Sequence, residues 1–135
     1  MGNRAVIKMN GVETGIYLHW NGGRDSVEGF LEYCKMKDFR GDYYGMARLT
    51  QIIANYFGGG LSIGIDTAET LDCDNYDNGM YIIDEHFNIV ERKYFDDCVE
   101  QKEYPLKEMV IEVNNAQPKG EQFSMAEIDK WFNSK

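Results

Sequence analysis

The sequence predicts an α+β domain: a mainly antiparallel sheet of about five to six strands, with two central helices and a C-terminal helix. Three observations carry that expectation. Short β-branched and aromatic runs with period-two alternation recur along the chain, several joined by turn residues. Two neighbouring stretches between residues 26 and 57 place apolar residues at helical spacing instead. Near the C-terminus a complete cap signature announces one more helix. Hairpins with helices grouped between them build an α+β domain, not a doubly wound one. The 135 residues are read as a single domain with its own core.

Arg4 to Met9 alternates and reads as a first strand. Asn10-Gly11 is a strong hairpin signal, so the next strand should pair with it antiparallel. That second strand, Gly15 to Trp20, places Ile16, Leu18 and Trp20 on one face and Tyr17 and His19 on the other. Asn21-Gly22-Gly23 breaks it. Asp25 then reads as an N-cap, with Glu28 closing a capping box. Val27, Phe30, Leu31 and Cys34 form the apolar stripe of a helix from about Ser26 to Met36. Tyr43 to Phe57 is a second helix, on the spacing of Met46, Leu49, Ile53, Tyr56 and Phe57, and Gly58-Gly59-Gly60 stops it.

Leu61 to Ile65 reads as a short strand with small residues, Ser62 and Gly64, on one face. Asp66 to Gly79 reads as a solvated loop dense in Asp and Asn. Counted from Asp72 it breaks the EF-hand pattern, with Tyr76 at position five and Asp77 at six, which leaves a looser cation site as an alternative. Met80 to Ile83 and Phe87 to Phe95 read as a hairpin with His86 exposed at its tip. Glu108 to Val113 alternates as an edge strand would. Ser124 with Glu127 makes the final capping box, and Phe123 with Ile128 the hydrophobic staple. Ala126, Ile128, Trp131 and Phe132 are expected to dock this helix on the body.

The formal net charge is −9. Such a field repels phosphate backbones and attracts a basic protein surface, so direct nucleic-acid binding is disfavoured; solubility alone is the competing explanation of the acidity. No apolar run reaches the roughly 20 residues of a membrane span, and without a basic-then-apolar stretch at the start no signal peptide is expected. Val6 stands where a myristoylation signal after Met1-Gly2 needs Ser or Thr. Cys34, Cys73 and Cys98 are odd in number and lack metal-ligand spacing, which fits reduced thiols in a cytoplasmic protein. No cofactor and no metal site is expected.

The candidate site is the strand-turn-helix junction. Asn21, Gly22, Gly23, Arg24, Asp25 and Ser26 stand where backbone N–H groups at a helix start can hold an anion. Trp20 is the aromatic neighbour, and Arg4 and Asp66 are candidate partners from elsewhere. His19 is the candidate general base or acid. The bland alternatives are a tight connection whose glycines solve geometry and a hydrogen-bonding histidine at a strand end.

Asn-Gly-Gly-Arg-Asp-Ser resembles the Ser-Gly-Gly-x-Asp-Ser loop of the ATP pyrophosphatase family, with Gly22, Gly23, Asp25 and Ser26 matching and Asn21 in place of Ser. That resemblance implies ATP-phosphate binding on a parallel sheet, against which the element order argues. A second resemblance covers about the first 35 residues, Asn-Arg-Ala-Val-Ile and Gly-Ile-Tyr-Leu-His-Trp-Asn-Gly-Gly. It is to small proteins of phages and mobile elements with an early Arg and a Tyr-x-His-Trp-Asp-Gly-like turn. Here Asn21 replaces the usual Asp, and Gly23-Arg24 the usual Tyr-Pro.

Two function classes follow. One is an acidic binding protein of mobile-element type. It would inhibit a basic host defence component, as anti-CRISPR proteins do, or sequester a nucleotide ligand. The other is an enzyme on a phosphorylated or nucleotide substrate, with Gly22 and Gly23 holding phosphate and His19 moving a proton. A homo-oligomeric role is a further option.

Overall fold

The computed structural model describes residues 3–58, 62–95 and 104–135. The Met1-Gly2 reading, Gly59, Gly60, Leu61 and Cys98 lie outside the described residues. Five strands, β1 (Ala5–Met9), β2 (Thr14–Leu18), β3 (Ile63–Thr67), β4 (Met80–Ile83) and β5 (Ile89–Lys93), form one sheet in the order β3-β2-β1-β4-β5. The helices are α1 (Arg24–Met36), α2 (Tyr43–Phe57), α3 (Leu106–Asn115) and α4 (Met125–Asn133). The architecture is α+β with a mostly antiparallel sheet.

The Asn10-Gly11 turn makes the first hairpin, with Gly11 at a φ of 82° and Ile7 opposite Ile16. β3 continues antiparallel on the outer side of β2, and β5 on the outer side of β4. β1 and β4 are parallel neighbours, Ile7 opposite Tyr81, because the chain crosses both first helices and β3 before it returns. These central strands are covered on both faces, which is why their burial does not alternate. Ala5, Ile7, Met9, Ile16, Leu18, Tyr81 and Ile83 pack under Val27, Phe30, Leu49, Ile53, Met109 and Val113 of the helices. On the opposite face Val6, Met80 and Ile82 pack under Ala68, Leu71 and Cys73.

Residues 108–113 are helical, not an edge strand. α3 buries Met109, Val110 and Val113, with Leu106 packed against the same core. Those four positions, i, i+3, i+4 and i+7, are a helix stripe. The shorter alternation of Met109, Ile111 and Val113 coincides with it by chance. α3 crosses α1 so closely that a Cβ on Gly29 would collide with Met109.

The 66–79 stretch also differs from a plain solvated loop. β3 runs on to Thr67, and the following turn lies over the sheet. The second hairpin's outer strand is shorter than Phe87 to Phe95, ending at Lys93, while His86 is exposed at the tip as expected. α4 begins on the anticipated capping box: Ser124 Oγ accepts from Glu127 N, and Glu127 Oε1 accepts from Ser124 N. Ile128 is buried and Trp131 and Phe132 are half-buried, but Ala126 is exposed. Asn114 ties the end of α3 to this start. Its Oδ1 accepts from the Tyr33 hydroxyl at 2.9 Å and from Phe123 N at 2.8 Å. Among the described residues no helix is long and apolar enough to cross a membrane.

Candidate functional site

The turn after β2 is packed, and its glycines are occupied by that packing. Gly22 N donates to Asn3 O at 2.8 Å, and Gly22 O accepts from the buried Tyr81 hydroxyl at 2.7 Å. A Cβ at Gly22 would stand 2.6 Å from Asn3 O and 2.7 Å from Ala5 Cβ. Glycine is therefore required here by the approach of β1. Gly23, not Asp25, is the N-cap of α1, and it brings no side-chain bond. The expected Asp25–Glu28 capping box is absent because the helix starts earlier, at Arg24. Asp25 Oδ1 instead accepts from Ser26 N at 2.7 Å and its Oδ2 from Tyr104 N at 3.2 Å. Arg24 Nε donates to Glu28 Oε1 at 2.7 Å. Asn21 sits at a φ of 57°, and its amide donates to Ser26 Oγ at 3.2 Å. The amides of Gly22 and Ser26 are thus spent on neighbours.

His19 and Arg4 lie at the ends of neighbouring strands close to Asp77, and Asp66 does not join them. His19 Nδ1 lies 3.0 Å from the Tyr17 hydroxyl, on the sheet face away from α1. Arg4 pairs with Asp77 at 2.8 Å and reaches Asp72 at 4.0 Å. Asp66 lies opposite Gly15, four residues along β2 from His19, or about 13 Å away at strand rise. Asp77 is drawn below the usual carboxylate range: burial opposes ionisation, and the hydrogen bonds from Arg4 outweigh it.

Trp20 leaves the strand's alternation and stands 42% exposed, its ring edge-on to His19 with centroids 4.8 Å apart. It borders a cleft of about 770 Å³ between the turn, the end of α2 and the end of α3. Tyr56 and Phe57 supply two more rings, and Asn21, Ser62, Glu112 and Asn115 its polar groups. Among its described lining residues there is no Lys, Arg or His. Glu112 is the charged group among these described lining residues, and it acts on two phenols, Tyr56 in the lining and Tyr104 outside it. The Tyr104 hydroxyl is pushed up to about 12 by its hydrogen bond to Glu112, with desolvation and the charges of Glu112 and Glu108 adding to it. Tyr56 is raised by burial and then by the Glu112 charge. Of this cleft Trp20 and Asn21 stand out in the sequence as site residues. Tyr56, Phe57, Glu112 and Asn115 come from distant stretches, and no local spacing links them.

The acidic loop is braced from beneath by two buried asparagines. Asn75 accepts from Asp77 N and Gly79 N at 3.1 and 3.0 Å and donates to Asp72 O at 2.9 Å. Asn78 donates to Asn3 Oδ1 at 2.6 Å and Arg4 O at 3.1 Å. At the tip Tyr76 is 91% exposed with a φ of 63°. Among the described residues no three His, Cys, Asp or Glu side chains are grouped to hold a metal ion. Cys34 and Cys73 are free thiols, and burial raises the pKa of each.

Comparison with protein-family models, curated proteins and solved structures gives no match to this chain.

Proposed function

We propose that this chain is a non-catalytic binding protein that covers a basic surface of a protein partner. The partner we assign is a nucleic-acid-handling component of a host cell, inhibited as anti-CRISPR proteins inhibit theirs. The observation that carries this reading is the braced acidic loop. Between residues 66 and 77 stand Asp66, Glu69, Asp72, Asp74 and Asp77 with no Lys or Arg among them. Arg4 offsets part of that charge. The buried asparagines hold the backbone, so the carboxylates and Tyr76 are presented with little left to order on binding. Carboxylates steer a basic partner, and an exposed aromatic ring supplies an anchor once water is excluded.

Sequestering a nucleotide finds less support. The amides of Gly22 and Ser26 are engaged, and the neighbouring cleft carries a carboxylate. The enzyme reading would need His19 to face a substrate beside the turn, whereas its ring engages Tyr17 on the other face.

The test is competition with DNA for a CRISPR effector nuclease, read as inhibition of cleavage. Inhibition is expected to weaken as salt shortens the Debye length from about 30 Å to about 8 Å. It is expected to be lost in D72N/D74N/Y76S and kept in His19→Ala. Inhibition that ignores salt and the loop substitutions contradicts the reading, as does a turnover that His19→Ala abolishes.

A further inference from the structure

Resting on that reading, we propose that the cleft beside Trp20 takes an arginine side chain of the basic partner. Three rings from two elements, Trp20 of the turn and Tyr56 and Phe57 of α2, border the space. Glu112 of α3 closes one side. Asn115, one helical turn nearer the α3 C-terminus, adds an amide. A volume of about 770 Å³ falls in the range of small-ligand sites, about 300–1,000 Å³.

The chemistry of the walls selects among occupants. A phosphate would meet Glu112 and no basic lining group among the described residues. An apolar group would desolvate that carboxylate without replacing its hydrogen bonds, which is unfavourable. A guanidinium satisfies both features. It is planar and weakly hydrated, stacks on aromatic faces, and donates two parallel N–H bonds to a carboxylate. An ammonium offers the charge without the plane or the fork, so lysine fits less well. α3, which carries Glu112, is held against α1 through the Met109–Gly29 contact.

The experiment titrates the full ¹⁵N-labelled chain with blocked Gly-Arg-Gly, Gly-Lys-Gly and Gly-citrulline-Gly peptides. The readout is the Trp20 indole N–H resonance, assigned by its loss in Trp20→Phe. The arginine peptide is expected to shift it with a dissociation constant of about 1 mM, and the lysine peptide to bind about fivefold more weakly. Citrulline, which keeps the shape and loses the charge, is expected to leave the resonance in place. Glu112 is exposed on α3, so Glu112→Gln should fold normally and bind arginine about tenfold more weakly. Equal shifts from citrulline overturn the proposal, as does arginine binding unchanged in Glu112→Gln. AMP shifting the same resonance equally in both proteins also overturns it. If the peptide fails at the cleft while the loop still competes with DNA, the arginine site falls alone. If the peptide binds and the chain never competes with DNA, the cleft assignment stands and the proposed function falls.

Discussion

Gly22→Ala separates a glycine placed for packing from one placed to expose its amide. An added Cβ would meet Asn3 O at 2.6 Å, Ala5 Cβ at 2.7 Å and the Arg4 carbonyl carbon at 2.8 Å. These are backbone and β1 atoms, which no rotamer change can move aside. Either β1 shifts in the sheet or the turn lifts away. If the turn lifts, the Gly22–Asn3 bond and the Tyr81 hydroxyl bond are lost together. Overpacking of about 1–3 kcal/mol and a hydrogen bond of about 1 kcal/mol give an expected destabilisation of about 2–4 kcal/mol. For a chain of this length that is a melting-temperature drop of about 6–15 °C. Thermal unfolding followed by near-ultraviolet circular dichroism reads it, with Gly11→Ala as a control. Gly11 has open space around its Cβ position but a φ of 82°, so its cost is backbone strain alone, about 1–2 kcal/mol. A Gly22→Ala protein melting within about 2 °C of the parent would refute the packing argument and return the turn to a ligand-binding role.

Asn75 is 1% exposed and its side chain holds four backbone groups of the acidic loop, so Asn75→Ala is expected to cost about 2–4 kcal/mol. Amide exchange should speed up in residues 72–79 and competition with DNA should weaken with it. Ser124→Ala removes the α4 cap and should lower stability by about 1 kcal/mol in urea denaturation, with an unchanged m-value. Glu32 is buried; desolvation pushes its carboxyl up, but hydrogen bonds from Lys135 and Trp131 and the Lys charges bring it below the usual range. Its folded pKa lies below the unfolded one, so its contribution is present at neutral pH and fades as pH falls through the folded value. Glu32→Gln should therefore lose about 1–3 kcal/mol at neutral pH and less in acid, read from urea midpoints down to about pH 3.

Local signals were legible in the sequence. Asn10-Gly11 gave its hairpin, the 43–57 stripe its helix, and Ser124 with Glu127 its cap, because each depends on residues within one or two turns of chain. α3 was hidden by a window that was too short: alternation over 108–113 hides the stripe that only Leu106 completes. Asp25 looked like a cap because Glu28 follows at the right spacing. The chain enters α1 sooner, though, since Gly22 must tuck against β1. That contact is with a strand some 17 residues away, and no local pattern reports it. The same limit applies to the site. Trp20 and Asn21 were visible as unusual residues, but the cleft they border depends on Tyr56, Phe57 and Glu112, brought together by helix packing. The acidity of the loop is plain in its composition. What its composition did not reveal is that Asn75 and Asn78 bury their amides beneath it.

The reading as a whole turns on whether the loop carboxylates carry the association. Calorimetric titration of an arginine-rich peptide into the parent chain and into D72N/D74N at low and at physiological salt measures this most directly. The account predicts weaker binding in the variant, by about 0.2–1 kcal/mol per charge removed. It also predicts that the gap between the two proteins narrows as salt rises. Identical affinities for the two proteins at low salt would contradict it.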